Sequence, residues 1–80
     1  MIRLHKAPQE TKLRIVEIDG GYGVRRRLLS MGFHKNDIIL LEKRSILGGP
    51  VAVRSISSDT SIALGRGIAS KILVEIVEQE

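Results

Sequence analysis

Apolar residues alternate along the stretch TKLRIVEI, residues 11–18, with Leu13, Ile15 and Glu17 on one face and Arg14, Val16 and Ile18 on the other. A period of two predicts a strand. The glycine-rich DGGYG at 19–23 predicts a loop, because glycine reaches positive φ without steric cost. The period then changes. At about 100° per residue, Val24, Leu28 and Met31 form one stripe of a short helix over 24–31. Gly32 stands where a left-handed residue ends a helix, and Phe33, one place further on, should fold back onto Leu28. FHKND turns the chain, with Asn36 suited to a left-handed position.

The remaining pattern is again short strands. Residues 37–44 carry the run Ile38 to Leu41, apolar on both faces, so one face should point into a core and the other lie under the helix. SILGGP at 45–50 predicts a hairpin loop, and Pro50 fits only the start of the next strand because it lacks a ladder donor. Residues 51–56 form that strand, SSDT a turn whose side chains bond their own backbone, and 61–64 a fourth strand. GRGIASK predicts one helical turn, and residues 72–77 a fifth strand. Open edges on so small a sheet are costly, so the sheet should curl closed. The pattern therefore predicts a mainly β domain with one short α-helix, a five-stranded SH3-like barrel. A five-stranded oligonucleotide-binding barrel is the alternative.

Composition fits this reading. The 80 residues suffice for one domain, here expected over 1–80 with its core at about 11–77, and 42% of them are apolar. Without cysteine there are neither disulfides nor thiolate metal sites. No apolar run is long enough to span a membrane, and the polar N-terminus does not resemble a signal peptide, so a cytosolic location is expected.

The formal charge of +4 suits an acidic partner. It gathers most visibly in Arg25, Arg26 and Arg27. If Gly23 caps the helix, these arginines fill its first turn, where each cation costs ~0.3–1 kcal/mol against the helix dipole. Arg26 should point fully outward, while Arg25 and Arg27 flank the buried stripe and lay their stems over it. A solvated face and a partner-contacting face both fit.

Other chemistry is sparse. No GxxxxGK[ST] loop is present, and no nucleophile has a base partner, so no enzyme activity and no cofactor are expected. His34 and Asp37 share one loop but offer only two ligands, so no dedicated metal site is expected. Tyr22 and Phe33 are the only aromatics. Single-strand binders stack bases on rows of such rings, so nucleic acid is not an expected partner.

The ordered residues Arg27-Leu28, Met31-Gly32, Ile38 to Leu41, Gly49-Pro50, Leu64 to Arg66, Ala69 and Ile72 to Val74 resemble the FeoA family, ferrous iron transport protein A. The resemblance spans about residues 11–77. Two features depart from the pattern. Lys35-Asn36 stands where the family often has Pro-Gly, and the opening APQETKL blurs the family's leucine-rich start. The resemblance implies an SH3-like barrel in the cytosol that serves the membrane ferrous-iron transporter FeoB. Arg25, Arg26, Arg27 and Arg66 are the candidate partner-binding residues, on a protein expected to be at most peripheral to the membrane. Similar domains end iron-dependent repressors, where a DNA-reading winged helix precedes them. With only ten residues ahead of the first expected strand, no such part is expected here.

Overall fold

A computed structural model describes residues 1–45 and 47–77; Ile46, in the predicted SILGGP loop, lies outside the described residues. Strand β1 (Ile2–Arg3) leads into a 3₁₀ turn at Leu4–Lys6. Strand β2 (Lys12–Ile18), helix α1 (Gly21–Ser30), strands β3 (Ile38–Lys43), β4 (Val51–Ser55) and β5 (Thr60–Leu64), helix α2 (Arg66–Ala69) and strand β6 (Ile72–Ile76) follow. All pairings are antiparallel, and the sheet order is β1-β6-β2-β3-β4-β5. The sheet has six strands where the hydrophobic pattern predicts five.

The additional strand is β1. Two residues are too few to show a period, and their pairing is remote in sequence: Ile2 lies opposite Val74 and Arg3 opposite Leu73. Past β1 the chain sinks inward, and Leu4 and Ala7 are fully buried. Arg3 secures the segment from outside. Its guanidinium donates to the Ser70 carbonyl at 2.6 Å and lies 3.7 Å from an Asp19 carboxylate oxygen. The 3₁₀ turn packs against α2 and β6, on the side of the sheet where the β5-to-β6 connection passes.

The inward faces of β2, β3, β4 and β6 supply most of the core: Leu13, Ile15, Ile39, Leu41, Val53 and Val74 are all fully buried. A bulge on β2 changes which side chain comes next. Ile15 pairs with Val74, but Glu17 pairs with Leu73, leaving Val16 as the extra residue. The bulge moves the inward position from Glu17 to Ile18, so Ile18 is buried and Glu17 stays half-exposed. Strict alternation predicts the opposite. A second bulge, between Leu41 and Lys43, leaves Glu42 as the extra residue on β3. There its carboxylate accepts from Arg54 Nε at 3.0 Å and Ser61 Oγ at 2.8 Å. Ile38 and Leu40, on the other face of β3, are half-buried, while the sheet strand that α1 packs on is β2.

Helix α1 ends as its sequence predicts. Gly32 has φ +87°, the Phe33 amide donates to the Leu28 carbonyl at 2.9 Å, and the Gly32 amide donates to the Leu29 carbonyl at 2.9 Å. This pair of bonds is the Schellman arrangement. It draws Phe33 into the core beside Leu28, both of them buried. Val24 and Met31 complete the stripe as half-buried neighbours of the core. Asn36 is left-handed as expected, φ 73°, and its amide donates to the Ile15 carbonyl at 2.7 Å.

The helix begins earlier than expected. Its N-cap is Gly20, with no capping side chain, so Gly21, Tyr22 and Gly23 form the first turn rather than a loop. Glycine disfavours helix by ~1 kcal/mol per residue, and here tertiary ties override that preference. The Asp19 amide donates to the Lys71 carbonyl at 2.7 Å, and Arg25 Nε donates back to the Ile18 carbonyl at 3.1 Å.

The exposed face of helix α1

The earlier start moves the three arginines along the helix. They occupy its middle rather than its first turn, and Arg27 lies in the last turn. The dipole penalty expected for a first-turn cation therefore does not apply, and Arg27 sits where a cation is favoured. Each arginine then has its own setting. Arg25 is tied inward through the bond to Ile18, and its guanidinium lies 3.9 Å from Glu17. Arg26 and Arg27 are exposed and form no ion pair among the described residues.

Two apolar side chains share this surface. Leu29 is 59% exposed and Tyr22 is 68% exposed. Tyr22, Arg26 and Leu29 recur at i, i+4 and i+7, which places them on one helical face. With Arg25 they line a shallow groove of about 270 Å³. A neighbouring hollow of about 280 Å³ continues past Arg25 and Leu29 to Glu17, Phe33, His34 and Lys35. The outward face of α1 is thus apolar at two points and basic between them. Sequence reasoning singled out the arginines but passed over Tyr22 and Leu29. Leu29 was legible: it is a large apolar residue lying off the buried Val24–Leu28–Met31 stripe.

Arg66 belongs elsewhere. It stands at the start of α2 and lines a cleft with His5, Lys6 and Arg44, and neither groove beside α1 includes it. The four arginines picked from the sequence therefore occupy two separate places.

His34 and Asp37 also part company. His34 is exposed, its Nδ1 3.0 Å from the Lys35 carbonyl. Asp37 is buried and accepts from Ser57 Oγ at 3.3 Å. Among the described residues, no three His, Asp or Glu side chains gather as metal ligands. Nor is any helix among them long and apolar enough to cross a membrane.

A family model for the FeoA domain matches residues 2–76. The chain belongs to the FeoA family. "Putative Fe(2+) transport protein A" of Methanocaldococcus jannaschii is 35% identical over 78 residues, covering 98% of this chain and 90% of that protein. A crystal structure of an iron uptake regulatory protein, FeoA, superposes with a TM-score of 0.84 at 25% identity, over 95% of this chain and 97% of that one. Stenotrophomonas maltophilia FeoA, crystallised with zinc and described as a prokaryotic SH3 domain protein, superposes with a TM-score of 0.76 at 23% identity, over 94% and 91% of the two chains. The SH3-like fold and the place among ferrous iron transport proteins follow from these matches. The matched segment begins at Ile2, so β1 and the 3₁₀ turn are part of the family domain.

Proposed function

We propose that this FeoA protein is a small cytosolic accessory protein of ferrous iron uptake. It docks through the exposed face of α1 on the cytosolic part of a FeoB-like membrane transporter and performs no chemistry of its own. The observation that carries the reading is the pairing of exposed Tyr22 and Leu29 with Arg25 and Arg26 on one helical face. Aromatic residues and arginine are enriched where proteins meet, because they combine apolar area with directional polar contacts. Arg26 adds attraction for an acidic partner and is engaged in no ion pair among the described residues.

Two other readings are weaker. A basic barrel could hold nucleic acid through phosphates, but Tyr22 is the one exposed aromatic, and base stacking needs several. The zinc bound by the S. maltophilia protein suggests a transition-metal regulator. In this chain exposed His34 and buried Asp37 do not form a ligand pair.

Titrating the wild type and Arg26→Glu against the transporter's cytosolic domain, and against duplex and single-stranded oligonucleotides, at two salt concentrations tests the reading. Arg26→Glu should weaken binding to the transporter domain with an unchanged fold. Equal binding by both proteins would remove α1 as the docking face. Tight oligonucleotide binding that falls steeply with salt would favour the nucleic-acid reading.

A further inference from the structure

The cleft that holds Arg66 has a character of its own. It encloses about 190 Å³ between the 3₁₀ turn, the β3–β4 loop and the start of α2. His5 and Lys6 come from the first, Arg44 from the β3–β4 loop just past β3, and Arg66 from α2, and among the described residues no carboxylate lines it. None of these three cations forms an ion pair among the described residues, although Arg14 and Arg54 elsewhere on the surface do. Cations brought together from three parts of the chain repel one another unless something negative lies between them.

Two further observations bear on the cleft. Gly48 allows a close approach: a Cβ there would fall 2.6 Å from an Arg66 guanidinium nitrogen. The guanidinium is thus seated directly against the loop backbone, and any larger residue would displace it. The second observation is an orphan. The Nδ1 atom of His5 is buried with no hydrogen-bond partner among the described residues, although His5 lines the cleft. Buried polar nitrogens without partners are uncommon, and each asks for an explanation.

We infer that this cleft binds a phosphate-class oxyanion, held by Arg66, Arg44 and Lys6 with His5 as a further donor. Arginine presents a planar fork of N–H donors that matches such a group, and lysine adds a point charge. The volume admits a small tetrahedral anion, or the phosphate end of a larger molecule entering from solvent. The inference is independent of the docking role proposed for α1, because it concerns a different face and a different kind of ligand.

The charges around His5 give the site a pH dependence. Burial and the nearby cations Arg66, Lys6, Arg3 and Arg44 lower its pKa. Of the elements packed on the 3₁₀ turn, α2 presents Arg66, and the one acid on β6, Glu75, is paired with Arg14. Among the described residues, every charge acting on the His5 imidazole is a cation. An anion in the cleft reverses that balance and favours the imidazolium, so anion binding takes up a proton and strengthens as pH falls.

The test titrates the isolated protein with inorganic phosphate and with glycerol phosphate at constant ionic strength, following backbone amide shifts by NMR. Saturable shifts at Gly48, Gly49 and His5 support the inference with either ligand, and the tighter ligand tells free phosphate from a phosphate monoester. Arg66→Gln and Lys6→Gln should each weaken binding by about tenfold or more, the scale of a lost hydrogen bond to a charged group. Lys12→Gln, an exposed cation on β2, should leave binding unchanged. Sulfate keeps its charge across the range, and its affinity should rise from pH about 8 to about 5.5, spanning the free imidazole pKa. That slope should flatten in His5→Gln. Shifts that fail to saturate, wild-type affinity in both Arg66→Gln and Lys6→Gln, or an equal loss in Lys12→Gln would each overturn the inference.

Discussion

Two basic regions of this small barrel differ in what lines them, and the difference separates their uses. On α1 the arginines stand on an open helix face along a shallow groove, with Tyr22 and Leu29 exposed beside them. Around Arg66 the cations line a concavity floored by a glycine loop, with one buried unpartnered nitrogen. An open surface of mixed apolar and basic character offers area to a protein. A concave basic one offers converging donors to a small anion. Arg14 and Arg54 show a third use of the same side chain. Arg14 binds Glu75 and also donates to Asn36 at 2.9 Å, while Arg54 bridges Glu42 and Asp59. Such pairs on the surface each contribute ~0–1 kcal/mol, so those arginines mainly fix strand neighbours.

The two regions also rest on different kinds of support. The concave region depends on the N-terminal segment, which places His5 and Lys6 by burying Leu4 and Ala7. Leu4→Ala should therefore have the largest effect on stability. Truncating a fully buried leucine costs ~2–5 kcal/mol, depending on how far the site collapses. Chemical denaturation should show that loss. A loss below about 1 kcal/mol, the size of a typical surface change or less, would mean that the segment merely rests on the barrel. The Leu4→Ala protein should also lose phosphate binding before it loses transporter binding, since Leu4 adjoins His5 and Lys6 in sequence, whereas α1 packs chiefly on β2.

The α1 region depends instead on how the helix ends. Gly32→Val should cost ~1–3 kcal/mol, the price of holding a branched residue at positive φ. Beyond Gly32 and its two chain neighbours, no heavy atom among the described residues lies within 4 Å of the place its Cβ would occupy, so the cost is conformational rather than steric. Gly32→Asn isolates that origin, because asparagine accepts the left-handed region far more readily. Thermal melts should rank wild type above Gly32→Asn above Gly32→Val. Equal destabilisation by both substitutions would point to a clash and against the cap.

These two supports were unequally legible in the sequence. The end of α1 is local chemistry: a stripe, a glycine and a phenylalanine within a few residues state it, and the structure matches them. Strand β1 is two residues long, and what defines it is a partner some seventy residues away. No period or turn signal can report such a pairing. The bulge at Val16 was hidden for a related reason, since alternation describes one strand and a bulge describes two. The start of α1 was misread because glycine normally marks a loop, whereas here bonds from Asp19 and Arg25 hold the first turn in place. The α1 site was half visible, its arginines in a run and its apolar members not assigned to it. The concave site was hidden apart from Arg66, because His5, Lys6 and Arg44 come together only once the barrel forms.

The smallest expected effect is the pH response of the concave region in the absence of anion. His5 has a lowered pKa in the folded protein, from burial first and then from the surrounding cations. The unfolded chain therefore binds a proton at His5 more readily than the folded one does. Stability then falls as pH drops from above the unfolded value of 6.5 to below the lowered folded one, and levels off once both states are protonated. His5→Gln should remove that part of the slope and leave the contribution of the carboxylates. Adding sulfate at low pH should restore stability in the wild type more than in His5→Gln, because the anion compensates the cations that disfavour the imidazolium. Denaturation midpoints at several pH values, with and without sulfate, measure both effects. The contrast between the two regions then sharpens to one observable. Anion should rescue the concave region in acid, while Arg26→Glu on α1 should leave the pH profile unchanged. A profile that shifts with Arg26→Glu as much as with His5→Gln would mean that the two basic regions act as a single field rather than as two sites.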